Sequence, residues 1–386
     1  MAAMLKRLRT VCAVALLTVG TYAAAVETRG DHPDTYVVKK GDTLWDIAGT
    51  FLKRPWLWPE IWQANPQIQN PHLIYPGDVI SLAYLDRVAV QEGPRAETPV
   101  TGVPLSEVEP FLKNLRVMDQ FDQLPYVVAI EEDRLRANNG HAVYIRGLEG
   151  AQPGTRFAVI RPTVEFTRLD RGEVCCDIFF KQDLDFRGAR VFADYENMWT
   201  SAITPDRGQE HLGYELRQVT TGTLSQVEGN GHDVSTLVID GEGREVRAGD
   251  RIVPVEAQPY DLQFFPHPPK QEFKYGRARV LAVADLVQNG GPRDVIALSV
   301  GARDGIDNGT VFSIWRVGSN VPDRVEYGMN RSEDLFGDAS RVRLPDEFAG
   351  HVMVFRTYDK VSYGLIMSGI KPTKIGFELK HPDAAY

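Results

Sequence analysis

Along the chain, the spacing of apolar positions changes from a mixed pattern to a nearly uniform period of two. Residues 36–39 (Tyr-Val-Val-Lys) are β-branched and alternating, which predicts a short strand. A turn follows at Gly41-Asp42, and Thr43-x-x-Asp46 approaches a capping box that would open a helix. Leu44, Ile47, Ala48 and Phe51 recur at i, i+3, i+4 and i+7, giving that helix one apolar face. Pro55 ends it. A second short helix, with Pro59 in its first turn, carries Glu60, Ile61, Trp62 and Ala64 and stops at Asn65-Pro66. Residues 73–82 then read as a Pro76-Gly77-Asp78 turn and a second strand. The order is β-α-α-β in about 50 residues, and two strands this short need the helices as apolar cover.

Beyond residue 125 the runs alternate as strands do: 126–130, 142–145, 156–160, 295–300, 311–315 and 352–355, separated by Gly, Asp and Asn turns. The expected fold class is therefore α+β, a small βααβ domain at 34–84 followed by β-rich modules. Residues 85–104 hold Gly93-Pro94, Pro99, Gly102 and Pro104 with little apolar patterning, and read as a stiff linker. An echo divides the rest. Gly150-x-x-x-Gly154-Thr155-x-Phe157-x-x-x-Arg161 recurs as Gly305-x-x-x-Gly309-Thr310-x-Phe312-x-x-x-Arg316. Val246-x-x-Gly249-Asp250-x-Ile252 resembles Ile375-Gly376-x-x-Leu379, and Gly213 and Gly350 each precede an alternating run. These repeats predict a first module at 105–256, a Pro-rich linker at 257–271 and a second module at 272–386.

The N-terminus changes the picture of where the chain works. Lys6, Arg7 and Arg9 precede an apolar run from 11 to 20, and Ala23-Ala24-Ala25 offers a small-x-small cleavage site. This predicts a signal peptide at 1–25. The apolar run is shorter than the ~20 residues that span a bilayer, so no transmembrane segment is expected after cleavage. The formal net charge of −9 would become −12 once those three basic residues are gone. Such a chain lacks the basic surface that nucleic acid requires. Cys175 and Cys176 are neighbours, with Cα atoms closer than a disulfide usually allows, and read as two thiols or small apolar residues in a strand.

The segment from Tyr36 to Leu82 resembles a LysM domain. The resemblance rests on the Tyr-x-Val-x-x-Gly-Asp-Thr-Leu-x-x-Ile-Ala opening, the Asn-Pro after the second helix and the Ile-x-Pro-Gly-Asp-x-Ile close. LysM domains bind N-acetylglucosamine-containing glycans, in bacteria peptidoglycan. The resemblance implies a shallow groove between the first strand–helix loop and the second helix–strand loop. Its residues would be Gly41, Asp42, Thr43 and Leu44 on one side, and Asn65, Pro66, Ile74 and Tyr75 on the other. Backbone groups, an amide and hydroxyls over an apolar floor suit a neutral sugar. Asp42 and Thr43 also fit helix-start roles, and Leu44, Ile47 and Ile74 fit a core. The segment 53–58 (Lys-Arg-Pro-Trp-Leu-Trp) is longer than a minimal LysM. Four tryptophans, at 45, 56, 58 and 62, fall in this unit and read first as packing for that enlarged loop, with sugar stacking as the alternative.

Catalytic and metal patterns are missing from the sequence. The eight histidines form no His-x-His or His-Glu-x-x-His pair, no Gly-rich phosphate loop opens a helix, and the vicinal cysteines lack a nearby histidine. No enzyme activity, cofactor or metal is expected. Residues 124–129, 143–148, 295–305 and 354–358 are similar to the peptidoglycan-binding secretin-associated proteins of type IV pilus systems, whose C-terminal region resembles the flagellar T-ring protein. That resemblance implies a periplasmic, peptidoglycan-associated protein whose C-terminal region docks on an outer-membrane complex, the pilus secretin. A cell-wall hydrolase or remodelling factor targeted by its LysM is the alternative reading.

Overall fold

The computed structural model describes residues 35–63, 65, 74–81, 105–169, 182–184, 187–188, 190–192, 199–202, 209–229, 231–255, 265–284, 290–323, 325 and 341–384. The expected signal peptide, the 85–104 linker, Pro66, Cys175 and Cys176 lie outside these residues, as does most of the 257–271 linker. The chain forms two compact units, Met1–Pro99 and Val100–Tyr386.

In the first unit β1 (Thr35–Val37) pairs antiparallel with β2 (Val79–Ser81), Tyr36 lying opposite Ile80. Between them run α1 (Leu44–Phe51), a 3₁₀ turn at Pro55–Leu57 and α2 (Trp58–Gln63). The βααβ order is the one the sequence predicts. The Thr43 hydroxyl accepts from the Asp46 amide at 3.1 Å, and the Asp46 carboxylate accepts from the Thr43 amide at 3.2 Å, a complete capping box. The apolar face of α1 is fully inward: Leu44, Ile47, Ala48 and Phe51 are all 1% exposed or less. Phe51 meets Tyr36 edge-on at 5.7 Å, which ties the helix to β1.

The second unit opens with α3 (Leu105–Asn114), a helix the strand-dominated reading did not include. Its strands are β3 (Leu115–Met118), β4 (Tyr126–Ile130), β5 (Ala142–Arg146), β6 (Arg156–Thr167), β7 (Gln182–Leu184), β8 (Arg190–Phe192), β9 (Trp199–Ala202), β10 (His211–Gln226), β11 (Ser235–Ile239) and β12 (Arg251–Pro254). They continue as β13 (Val280–Ala284), β14 (Val295–Leu298), β15 (Val311–Arg316), β16 (Asn320–Pro322), β17 (Arg341–Arg343), β18 (Glu347–Thr357), β19 (Ser362–Gly369) and β20 (Glu378–Lys380). Every strand run expected from alternation overlaps one of these, the 295–300 run ending early at Leu298. β7–β8 and β16–β17 are short separate hairpins.

The remaining strands close into two six-stranded barrels. The first runs β4–β5–β11–β10–β6–β12 and back to β4. The second runs β13–β14–β19–β18–β15–β20, and an Arg279–Glu378 bridge returns it to β13. Position for position this is one circuit used twice. Both closures use the same backbone bonds. Val127 N–H donates to Asp250 at 2.9 Å and Gly249 N–H to Val127 at 2.8 Å. Val280 N–H donates to Phe377 and Gly376 N–H to Val280, each at 2.9 Å. Both first strands also carry a bulge at the same place, Val128 in β4 and Leu281 in β13. Closure at these seams shortens the unpaired edges an open six-stranded sheet would expose. Apolar side chains fill each interior, among them Val127, Val159 and Leu237 in the first barrel and Val280, Phe312 and Ile366 in the second.

The sequence echo maps onto this duplication. Phe157 and Phe312 are matched core residues of β6 and β15, and Gly154 and Gly309 turn into those strands at φ +86° and +97°. The Gly213–Gly350 match does not survive. Gly350 pairs with Ile314, whose counterpart Val159 pairs with Thr220, while Gly213 sits far along β10 opposite Phe166. Each barrel also has a seventh strand, differently placed: β3 extends β10, and β9 extends β13. β9 belongs in sequence to the 105–256 segment, yet it pairs in the second barrel.

The barrels are joined through a buried carboxylate. Glu215 on β10 is 0% exposed and accepts from Tyr363 Oη at 2.6 Å, Trp199 Nε1 at 2.7 Å and Thr163 Oγ1 at 2.9 Å. Burial pushes its carboxyl above the ordinary range, opposed by those three donors. The rings of Phe111 and Tyr363 flank Trp199 at 5.5 and 5.4 Å. A second tie forms around Glu210, which Arg168 and Arg303 each contact at 2.5 Å. Burial by itself would raise Glu210, but the two guanidinium groups prevail and hold it down at about 2.

Candidate functional site

In the LysM unit two turns of the same design meet at the end of β1. In Lys39–Asp42, Gly41 takes φ +91°, the Asp42 amide donates to the Lys39 carbonyl at 3.2 Å, and the Asp42 carboxylate accepts from the Lys39 amide at 2.8 Å. In Tyr75–Asp78, Gly77 takes φ +92°, the Asp78 amide donates to Tyr75 at 3.0 Å, and the Asp78 carboxylate accepts from the Tyr75 amide at 3.1 Å. Glycine at the third position of such a turn avoids the penalty a Cβ incurs at positive φ. Val38 clamps the pair: its amide donates to Asp78 and its carbonyl accepts from Gly77, both at 2.8 Å.

The candidate residues divide by exposure. Gly41 is exposed, with nothing within 4 Å of where a Cβ would stand, and Asp42 and Tyr75 are half-buried. Thr43, Leu44, Asn65 and Ile74 are buried, at 5%, 1%, 0% and 1% exposed. Thr43 is the helix cap. Asn65 donates from Nδ2 to the Ile61 carbonyl at 2.6 Å and from its backbone amide to Trp62 at 2.9 Å, so it finishes α2. Leu44 and Ile74 lie beneath the loops in the core. Pro66 is outside the described residues. The structure thus brings Gly41, Asp42 and Tyr75 to the surface and uses the other four to shape it.

Tyr36, a strand residue by its alternation, also reaches this surface. Its hydroxyl donates to Asp42 Oδ2 at 2.8 Å, the same oxygen that takes the Lys39 amide, while Oδ1 makes no hydrogen bond among the described residues. Burial raises the Tyr36 hydroxyl, and the bond to Asp42 adds to the rise. One carboxylate oxygen is therefore committed to the loop, leaving the other for a donor such as a sugar hydroxyl. Trp45, Trp56 and Trp58 are buried at 2%, 5% and 3%, the packing role expected first, and Trp62 is half-buried. Among the described residues no group of three His, Cys, Asp or Glu side chains is placed to hold a metal ion. No described helix is long and apolar enough to cross a membrane.

This surface sets the exposed and half-buried polar turns over a packed floor. Residues 36–83 match the LysM domain family, and this unit is a LysM domain, a module for the glycan of peptidoglycan. The chain is also 42% identical over 60 residues to the uncharacterized protein YqbP of Bacillus subtilis (strain 168). That match covers 13% of this chain and 27% of the relative, so the chain spans about a quarter of YqbP. The family match ends before the barrel unit begins.

Proposed function

We propose that the protein is a non-enzymatic periplasmic tether. It is exported by its N-terminal leader, holds peptidoglycan through the LysM domain and docks its barrel unit on an outer-membrane complex, the type IV pilus secretin. The observation that carries this reading is the LysM match over 36–83 together with its twin-turn surface. Two barrels with apolar-filled interiors suit a docking body, because their side-chain packing makes a firm scaffold for a surface contact. The resemblance of the barrel sequences to secretin-associated proteins supplies the partner. In this reading Gly41, Asp42 and Tyr75 contact the sugar, and Thr43, Leu44, Asn65 and Ile74 hold the loops in place.

The test compares full-length protein with residues 105–386 for co-sedimentation with purified sacculi, and each for capture of solubilised secretin. The expected result is that only the full chain pellets and both capture the secretin. Equal pelleting of the two would end the LysM-tether reading, and loss of capture by both would end the secretin assignment. Clearing of a peptidoglycan zymogram by the purified protein would replace the tether with a hydrolase.

A further inference from the structure

The duplicated circuit allows one barrel to be read against the other. In the second barrel β13 is covered on the side away from β14, first by β20 at Arg279 and then by β9. β9 runs antiparallel along it, with Ala282 opposite Ala202, Val283 opposite Ser201 and Ala284 opposite Trp199. Under that cover Leu281, Ala282, Val283 and Ala284 are 3% exposed or less. In the first barrel the matching strand β4 is covered at Tyr126, opposite Arg251, and at Val127 by the Gly249-Asp250 turn that leads into β12. Among the described residues no strand takes the place of β9. The bulge residue Val128, the counterpart of Leu281, is 44% exposed, and Ala129 is exposed beside it.

A cleft of about 520 Å³ opens at this bare stretch, lined by Tyr126, Val128, Ala248, Arg187, Arg251 and Asp122. Its size falls within the range of ligand-holding clefts. Bulges re-aim side chains at such places, and here the bulge turns Val128 toward the opening. Among the described lining residues two guanidinium groups stand beside one carboxylate, and aromatic rings and close backbone packing help position them. Arg251 lies 5.4 Å from the ring centroids of both Phe121 and Tyr126. Gly188 brings the backbone beside Arg187 so close that an added Cβ would stand 3.2 Å from the Phe121 ring. At the matching site of the second barrel the residue opposite the closing cation is the carboxylate Glu378.

We infer that the exposed edge of β4 is a docking site for an extended acidic segment of a partner protein. The segment adds as a strand where β9 lies in the second barrel, with an apolar side chain on Val128 and a carboxylate on Arg187 and Arg251. Strand addition gives affinity through the backbone, and the cleft supplies specificity through charge. The inference rests on the reading that the barrel unit docks a protein, and does not depend on which protein that is.

The test immobilises the full chain and presents a pool of short capped peptides alternating Val, Ile or Tyr with variable residues around one fixed Asp or Glu. A matched pool carries Asn or Gln at the fixed position. The expected result is retention of the acidic pool about tenfold above the amide pool. Val128→Glu and Arg187→Glu, both exposed and checked by thermal melt, should each reduce it to the amide level. Val342→Lys, at a 48% exposed site on β17, should not. Equal retention of the two pools, or undiminished retention by Val128→Glu, overturns the inference. Secretin capture by the wild-type chain is read separately. Capture without the peptide signal leaves docking intact and removes this edge, whereas the peptide signal without capture keeps the edge and removes the secretin.

Discussion

The two barrels share a strand circuit, a bulge and the backbone bonds that close them, yet they place charge in opposite ways. At the closing pair the first barrel sets Arg251 against Tyr126, and the second sets Glu378 against Arg279. One position earlier the first has Asp250, 2% exposed, where the second has Phe377. Asp250 is gripped by Arg161 through Nε at 2.7 Å and Nη2 at 2.8 Å, with the Arg247 amide at 2.8 Å. The residue matching Arg161 is Arg316, whose side chain is 58% exposed and reaches Glu347 at 3.5 Å. Closure in this fold is thus a property of the backbone. The side chains at the seam are left to decide which barrel carries a buried ion pair and which wall stays open.

The largest effect that tests this contrast is Asp250→Ala. It leaves the Arg161 guanidinium buried without its carboxylate and should lower stability by about 3–5 kcal/mol in urea unfolding. Loss of less than about 1 kcal/mol would mean that the pair is not part of what holds the first barrel together.

Acid titration separates the barrels next. Burial lowers His351 on β18 to about 4, against a backbone hydrogen bond at Pro382 that acts to raise it. The matching position of the first barrel, by strand register, is Thr221. The unfolded chain takes up a proton at the ordinary histidine value of 6.5, while the folded chain does not until about 4. Stability from this group is therefore complete above pH 6.5 and falls as pH drops to about 4, by roughly 3 kcal/mol. Denaturation midpoints followed across that window should flatten in His351→Thr. An unchanged slope would assign the acid loss elsewhere.

A smaller difference is expected at the matched turn glycines. Gly154→Ala meets open space and carries only the strain of positive φ, about 1 kcal/mol. Gly309→Ala places its Cβ 2.4 Å from the Phe265 carbonyl oxygen and should lower the melting temperature further. Equal shifts would show that the 265–268 segment yields freely. The smallest effect is Glu347→Ala, which removes exposed pairs with Lys371 at 2.8 Å and Arg316 at 3.5 Å and should leave the urea midpoint nearly unchanged. A loss as large as that of Asp250→Ala would erase the distinction between the two arginines.

Much of the LysM unit was legible because its determinants are local. Thr43 and Asp46 are a helix start by chemistry alone, and Gly41-Asp42 and Gly77-Asp78 are turns because only glycine takes that φ without strain. The same turn returns at Arg247–Asp250, again with a carboxylate capping the first amide. In the barrels, alternation located strands and the Gly-Thr-x-Phe echo located the duplication, since both are written within a few residues.

What the tertiary structure decided is everything that depends on register between distant segments. Tyr363 meets Glu215 across 148 residues, and neither sequence neighbourhood marks the encounter. β9 leaves its own module for the other barrel because that edge of β13 is where its backbone finds a partner. In the candidate site, eight residues shared one motif, yet only burial separated Gly41, Asp42 and Tyr75 from Thr43, Leu44, Asn65 and Ile74. A motif specifies the backbone conformation of its own few residues. Which of their side chains face solvent is set by what the rest of the fold lays against them.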